Sequence, residues 1–292
     1  MIDRKTVTPD HIRASARALK EIRPEYEGIL DFFQRLFLAQ EESKGRIDLD
    51  PPLIPPEILK VKKNEEFPLI EMNEFAVDYE AATVLFRTVW QLVSESRSHM
   101  SYMALDIDEA LESGMLDPKR LIKAMLNGDD GYLKTMADRL KADKQVLGFL
   151  AYNAVKPSIL LQSEQLSSYL DSESPWPRGF CPVCGNFPGF GTLEGDGGQL
   201  HFFCAFCWHK WQSKRMFCPF CERRDPSGYQ YFYSENEPEY RVYVCDQCKK
   251  YVKTLDARVV HRPIHAPLET IATLHLDLKA REDGLESPPF GF

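Results

Sequence analysis

The sequence predicts an α+β protein: an N-terminal all-α helical bundle, then two tandem four-cysteine metal ribbons of β type, then a short C-terminal helix. Three observations carry this. All 8 cysteines lie between Cys181 and Cys248, as four CxxC pairs. The part before them is free of cysteine and patterned as helix. Aromatic residues crowd the cysteine-bearing part, 18 of the 85 residues from Trp176 to Val260 against 16 in the other 207. The expected divisions are a helical domain at 1–172, a first ribbon at 173–215, a second at 216–265, and a C-terminal helix and tail at 266–292.

In the helical part, Thr8-Pro9-Asp10 sets a capping hydroxyl before a first-turn proline, a helix start. A second start stands at Arg23-Pro24-Glu25. Beyond it Tyr26, Ile29, Leu30, Phe33, Leu36 and Phe37 trace one face of a 3.6-residue helix, which Gly45 can end. The prolines between Asp50 and Pro56 predict an extended connection, since they cannot continue a helix. Helical patterning resumes near Asp78 with Ala82, Leu85, Val89, Trp90 and Val93. Asp117-Pro118 and Gly128 bracket a shorter helix. Asp143 is placed to cap a long one through Leu147, Leu150, Ala151 and Ala154, which Pro157 is expected to kink or restart. The apolar stripes read as bundle core, and Gln91, Arg97, Asn153 and Lys156 beside them as a solvated edge, with the lining of a groove as the alternative.

Residues 171–180 read as a linker. Beyond it, Leu200–Phe203, Tyr229–Tyr233 and Tyr240–Val244 are β-type runs. Gly195-Asp196-Gly197-Gly198 and the segment from Ser234 to Pro238 read as hairpin turns. The glycine-rich turn opens no helix, so it is not a phosphate loop.

Composition limits the functions available. Charged residues are 27% of the 292 residues and hydrophobic residues 43%, an ordinary globular balance that excludes global disorder. The net charge of -8 argues against a protein that coats nucleic acid. Residues Met1 to Lys5 lack the apolar core of a secretory signal, and no apolar run approaches the ~20 residues that span a bilayer. A cytoplasmic protein without membrane insertion is the expectation, and in a reducing compartment paired CxxC units point to metal rather than disulfides.

Four thiolates about 2.3 Å from one ion make a tetrahedral site, and each CxxC corner supplies two of them. Nineteen residues separate Cys184 from Cys204 and 23 separate Cys221 from Cys245, but only 10 separate Cys207 from Cys218. The repeat of corner, hairpin, corner and polar strand favours a tandem arrangement. Site one then holds Cys181, Cys184, Cys204 and Cys207; site two holds Cys218, Cys221, Cys245 and Cys248. The alternative is interleaved, with Cys204/Cys207 joining Cys218/Cys221 and the outer pairs joining each other. Ribbons this small have little core, so an ion worth about 10 kcal/mol or more offsets the entropy of ordering them. His201 and His209 read as surface or hydrogen-bonding residues, given a full set of thiolates. A closed sulfur shell leaves no position for water or substrate, and no catalytic residues are expected. Two ions per chain, zinc or iron, are expected.

Together these motifs carry a resemblance. Cys181-Pro182-Val183-Cys184-Gly185, Cys204-Ala205-Phe206-Cys207 with Trp211 after it, Cys218-Pro219-Phe220-Cys221, and the run from Cys245 to Asp256 resemble the formate dehydrogenase accessory protein family, FdhE. The tail from Leu268 to Asp277 resembles that family's closing helix. The helical half fits by type and not by motif. The resemblance implies a cytoplasmic maturation factor, or chaperone, for respiratory formate dehydrogenase. It would bind the catalytic subunit, which bears a twin-arginine signal, before export. It also implies rubredoxin-like, iron-capable sites. Corners of that type often carry glycine after the second cysteine. Gly185 matches; Trp208, Glu222 and Lys249 do not, so those corners match by spacing alone. Two other readings are open: a rubredoxin-like iron redox protein, and a nucleic-acid-binding zinc ribbon. The second is weakened by the near-balanced 11 basic and 9 acidic residues of Trp176–Val260, which eight metal-bound thiolates would turn negative.

Overall fold

The computed structural model describes residues 7–96, 104–171, 174–213, 217–225 and 228–286. Arg97 lies outside them. A helical N-terminal region is followed by a mixed sheet bearing two four-cysteine clusters, and then by short closing helices. The described helices are α1 (Pro9–Ile22), α2 (Glu27–Lys44), α3 (Pro56–Asn64), α4 (Tyr79–Glu95), α5 (Ala104–Glu112), α6 (Pro118–Leu126), α7 (Asp130–Leu140), α8 (Lys144–Leu166), α9 (Ala266–Ala272) and α10 (Leu274–Glu282). The strands are β1 (Pro188–Glu194), β2 (Gln199–Cys204), β3 (Lys210–Gln212), β4 (Tyr229–Phe232), β5 (Tyr240–Cys245) and β6 (Tyr251–Asp256).

The described residues form two compact units, one within 1–30, 53–71 and 163–291, the other within 31–52 and 72–162. The second unit is helical. Its helices start where short side chains satisfy free N–H groups: Asp78 accepts from Glu80 and Ala81, Asp117 from Lys119, and Asp143 from Gln145. Ala82, Leu85, Val89, Trp90 and Val93 of α4 are buried, as the stripe predicts, and so is Phe86; α4 packs on α6 and α6 on α7.

Pro157 lies inside α8, which runs on as one element. A proline donates no N–H, so the carbonyl four residues earlier loses its helical partner. That carbonyl belongs to Asn153, and Gln40 Nε2 donates to it at 3.0 Å and to the Asn153 Oδ1 at 3.0 Å. Asn153 and Lys156 are therefore not a solvated edge: both are buried. The Lys156 Nζ sits 5.0 Å from the Phe37 ring centre and 5.8 Å from that of Tyr152. Gln91 is exposed, as expected.

The first unit holds the sheet, in the order β3-β2-β1-β6-β5-β4. Each ribbon is antiparallel within itself. The two are joined by a parallel pairing of β1 with β6, Gly191 opposite Thr254 and Leu193 opposite Asp256. The expected ribbons thus share one six-stranded sheet. Phe190, Tyr240, Val242, Tyr251 and Leu255 form a buried cluster with Ala266, Leu276 and Ala280 of the closing helices.

Those helices are two short elements, and a buried lysine explains how they are held. Lys253 of β6 gives its three N–H groups to the Thr270 carbonyl at 2.9 Å, the Thr273 carbonyl at 3.3 Å and Asp277 Oδ2 at 2.6 Å. Two are carbonyls at the end of α9, where a cation is favoured. Helix α1 packs on α9, and Thr8 caps α1 by accepting from the His11 N–H at 3.2 Å. Among the described residues no helix is long and apolar enough to cross a membrane.

Candidate metal centre

Each CxxC pair closes a corner, and the four corners share one backbone pattern. The residue after the second cysteine donates its N–H to the carbonyl of the first: Gly185 to Cys181, Trp208 to Cys204, Glu222 to Cys218, Lys249 to Cys245, at 2.9–3.3 Å. The first cysteine in turn donates to the carbonyl five positions on, in Asn186, His209, Arg223 and Lys250, at 2.7–3.0 Å. The residue after the second cysteine has positive φ every time: 74° at Gly185, 56° at Trp208, 56° at Glu222 and 58° at Lys249. Three non-glycine residues therefore adopt the left-handed backbone that rubredoxin-type corners use. The corners differ in residue type and agree in shape.

These corners bring the eight sulfurs into two groups of four: Cys181, Cys184, Cys204 and Cys207, and Cys218, Cys221, Cys245 and Cys248. Within each group the sulfurs lie within 4.8 Å of one another. This is the tandem grouping; the interleaved one does not occur. In the first group Cys184 stands 3.4 Å from Cys204 and 3.5 Å from Cys207, and Cys181 3.6 Å from Cys207; in the second, Cys218–Cys248 and Cys221–Cys245 are 3.7 Å apart. A tetrahedron with arms of about 2.3 Å has edges of about 3.8 Å, so the donor sets fit a four-thiolate ion. His201 and His209 belong to neither group.

Electrostatics point the same way. Burial pushes the Cys181, Cys204, Cys218 and Cys248 thiols up. Cys207 and Cys245 go the other way. Burial opposes their ionisation but is outweighed, at Cys207 by hydrogen bonds from Cys181, Cys184 and Cys204 and at Cys245 chiefly by backbone N–H groups of Cys248 and Gln247. Burial thus works against ionisation in both groups. Ionising a whole set of four at these distances takes a cation among them.

Sequence reasoning missed two supports. The segment that follows α3 lies across the first corner, with Leu69 N–H donating to the Pro182 carbonyl and Ile70 N–H to that of Val183, both at 2.9 Å. The linker lies against the third: Gly179 N–H donates to Glu222 Oε1 at 3.1 Å, and a Cβ at Gly179 would meet the Pro219 carbonyl oxygen at 1.9 Å. Gly179 was visible as a glycine two residues before Cys181; its partner was not.

No family model matches the chain. It is similar to a protein named FdhE homolog from Pectobacterium atrosepticum, 34% identical over 109 residues, covering 37% of this chain and 35% of the relative. To FdhE of Escherichia coli K12 it is 29% identical over 114 residues, again 37% and 35%. An FdhE homolog from Enterobacter is 25% identical over 199 residues, 66% of this chain and 60% of that one. The alignments with the first two thus span about a third of the length of those relatives. Among solved structures, the crystal structure of the FdhE protein from Pseudomonas aeruginosa matches 97% of this chain and 95% of its own, with a TM-score of 0.67 at 18% identity. That likeness shows a shared fold.

Proposed function

We propose, from the premise that this chain is a member of the FdhE family, that it is a cytoplasmic accessory factor for respiratory formate dehydrogenase. In this reading it binds the catalytic subunit before export. Its eight cysteines hold two ions, Cys181, Cys184, Cys204 and Cys207 one, Cys218, Cys221, Cys245 and Cys248 the other. The observation that carries the reading is the pair of four-sulfur clusters. A full sulfur shell supplies rigidity to a small sheet and no position for substrate, which suits a binding protein better than an enzyme. The test is a pull-down of the catalytic subunit on the tagged full chain, with formate dehydrogenase activity measured in a deletion strain. Co-elution and lost activity are expected; no association with undiminished activity overturns the reading.

A second reading, a rubredoxin-like iron redox protein, is favoured by the four left-handed corners. Anaerobic purification with metal analysis and visible spectroscopy decides it. Coloured protein with a reversible potential supports it, and colourless zinc protein removes it.

A further inference from the structure

The two clusters are built alike but enclosed differently. In the first, Cys181, Cys184, Cys204 and Cys207 are between 0% and 4% exposed. Within its corners Pro182, Val183 and Phe206 are also buried. The Leu69–Ile70 segment crosses the first corner, with Pro68 close by: a Cβ at Gly185 would stand 3.2 Å from the proline ring. In the second cluster only Cys218 and Cys245 are buried; Cys221 is exposed and Cys248 half-buried. Asp246 and Gln247, between the cysteines of its last corner, are exposed as well.

Exchange of a thiolate-bound ion proceeds by approach of an incoming ligand, so access to the sulfurs sets its rate. We propose that the two sites differ in kind: the first is a permanent staple, and the second exchanges its ion with external sulfur ligands through the open side formed by Cys221 and Cys248. This rests on the reading that both clusters hold ions. An incoming thiolate takes the coordination place of Cys221, whose sulfur leaves as a thiolate and takes a proton from water. No electron changes hands. The chemical class of the exchanging ligand is a small thiol or a sulfur-bearing acceptor able to reach a surface site.

The experiment uses full-length protein loaded with two equivalents of zinc, challenged with a chromogenic chelator with and without reduced glutathione. One equivalent is expected to leave in a fast phase that glutathione accelerates, the other staying until the protein is denatured. Alkylation with N-ethylmaleimide, mapped by peptide mass spectrometry, is expected at Cys221 first and to spare Cys181, Cys184, Cys204 and Cys207. Release of both equivalents in one phase, indifference to glutathione, or first labelling within the buried set overturns the proposal. Cys221→Ser is expected to bind one equivalent; should it not fold, the release phases of the unsubstituted chain still decide. Protein that takes up no ion refutes the underlying metal reading. The release phases do not depend on the pull-down, so failure to bind the catalytic subunit is distinguishable from failure here.

Discussion

Trp208, Glu222 and Lys249 hold backbone angles that suit glycine, and only two of their side chains do something a glycine could not. Trp208 packs against Phe203, ring centres 6.4 Å apart, at the margin of the buried cluster. Glu222 accepts from the Gly179 N–H and pairs with Arg178. The Lys249 side chain is exposed. Left-handed backbone costs a non-glycine residue about 1 kcal/mol, part of which glycine gives back as unfolded-chain entropy. Lys249→Gly is therefore expected to raise the stability of the second ribbon by about 0.5 kcal/mol, and Glu222→Gly to lower it, read from denaturant midpoints. Lys156 is the other exceptional residue. Burial, with Lys44 nearby and Glu41 opposing, lowers its pKa from 10.5 to about 7. Between those values the unfolded chain binds more protons than the folded one, so this group makes stability rise with pH there. Below about pH 7 its penalty is full, and above about 10.5 it is gone. Lys156→Met is expected to flatten that slope and add about 2–4 kcal/mol at neutral pH. An unchanged slope in pH-dependent denaturation would show that Lys156 is not the source. Sequence placed this lysine beside an apolar stripe but not inside the bundle, because the residues that enclose it, such as Phe37, are distant in the chain.

At the level of elements, local signals worked where the cause was local. Thr8, Asp78, Asp117 and Asp143 each sit beside the N–H groups they satisfy, and the helix starts they mark are those of α1, α4, α6 and α8. The helices α3, α5 and α7 were not read: α3 and α5 have nine residues each, too few for periodicity to stand out, and Asp129, which caps α7 by accepting from the Tyr132 N–H, directly follows Gly128, which reads only as the end of the preceding helix. Nor was the repair of α8, since Gln40 lies 113 positions from Asn153. Gln40→Leu is expected to cost about 1–3 kcal/mol by leaving the Asn153 carbonyl buried and unpaired. Thermal denaturation checks this, and an unchanged midpoint would mean that Pro157 needs no such repair. Lys253→Met, which strips the α9 carbonyls and Asp277 of their shared cation, is expected to cost about 3 kcal/mol and to loosen the closing helices, seen as faster amide exchange in α9 and α10.

For the molecule as a whole, the cysteine spacing was enough to pair the corners, since a hairpin of 19 or 23 residues brings two of them together without outside help. It could not reveal that the ribbons continue one sheet, because the β1–β6 pairing joins strands that no hairpin connects. If ions staple this sheet, stripping both by chelation under denaturing conditions and refolding without metal should lose strand signal in circular dichroism, and zinc should restore it. Full strand content without metal would count against the staple. Cys245→Ser is expected to drop one equivalent of bound metal; two retained equivalents would refute the tandem grouping. The seam between β1 and β6 also bears on synthesis. When residues 174–213 have left the ribosome, β1 has one neighbour in β2, and its other margin waits for a strand not yet translated. Until Tyr251–Asp256 emerges, the nascent chain carries bare backbone donors and acceptors beside its aromatic side chains, and that interval is when it is most prone to stick to its neighbours.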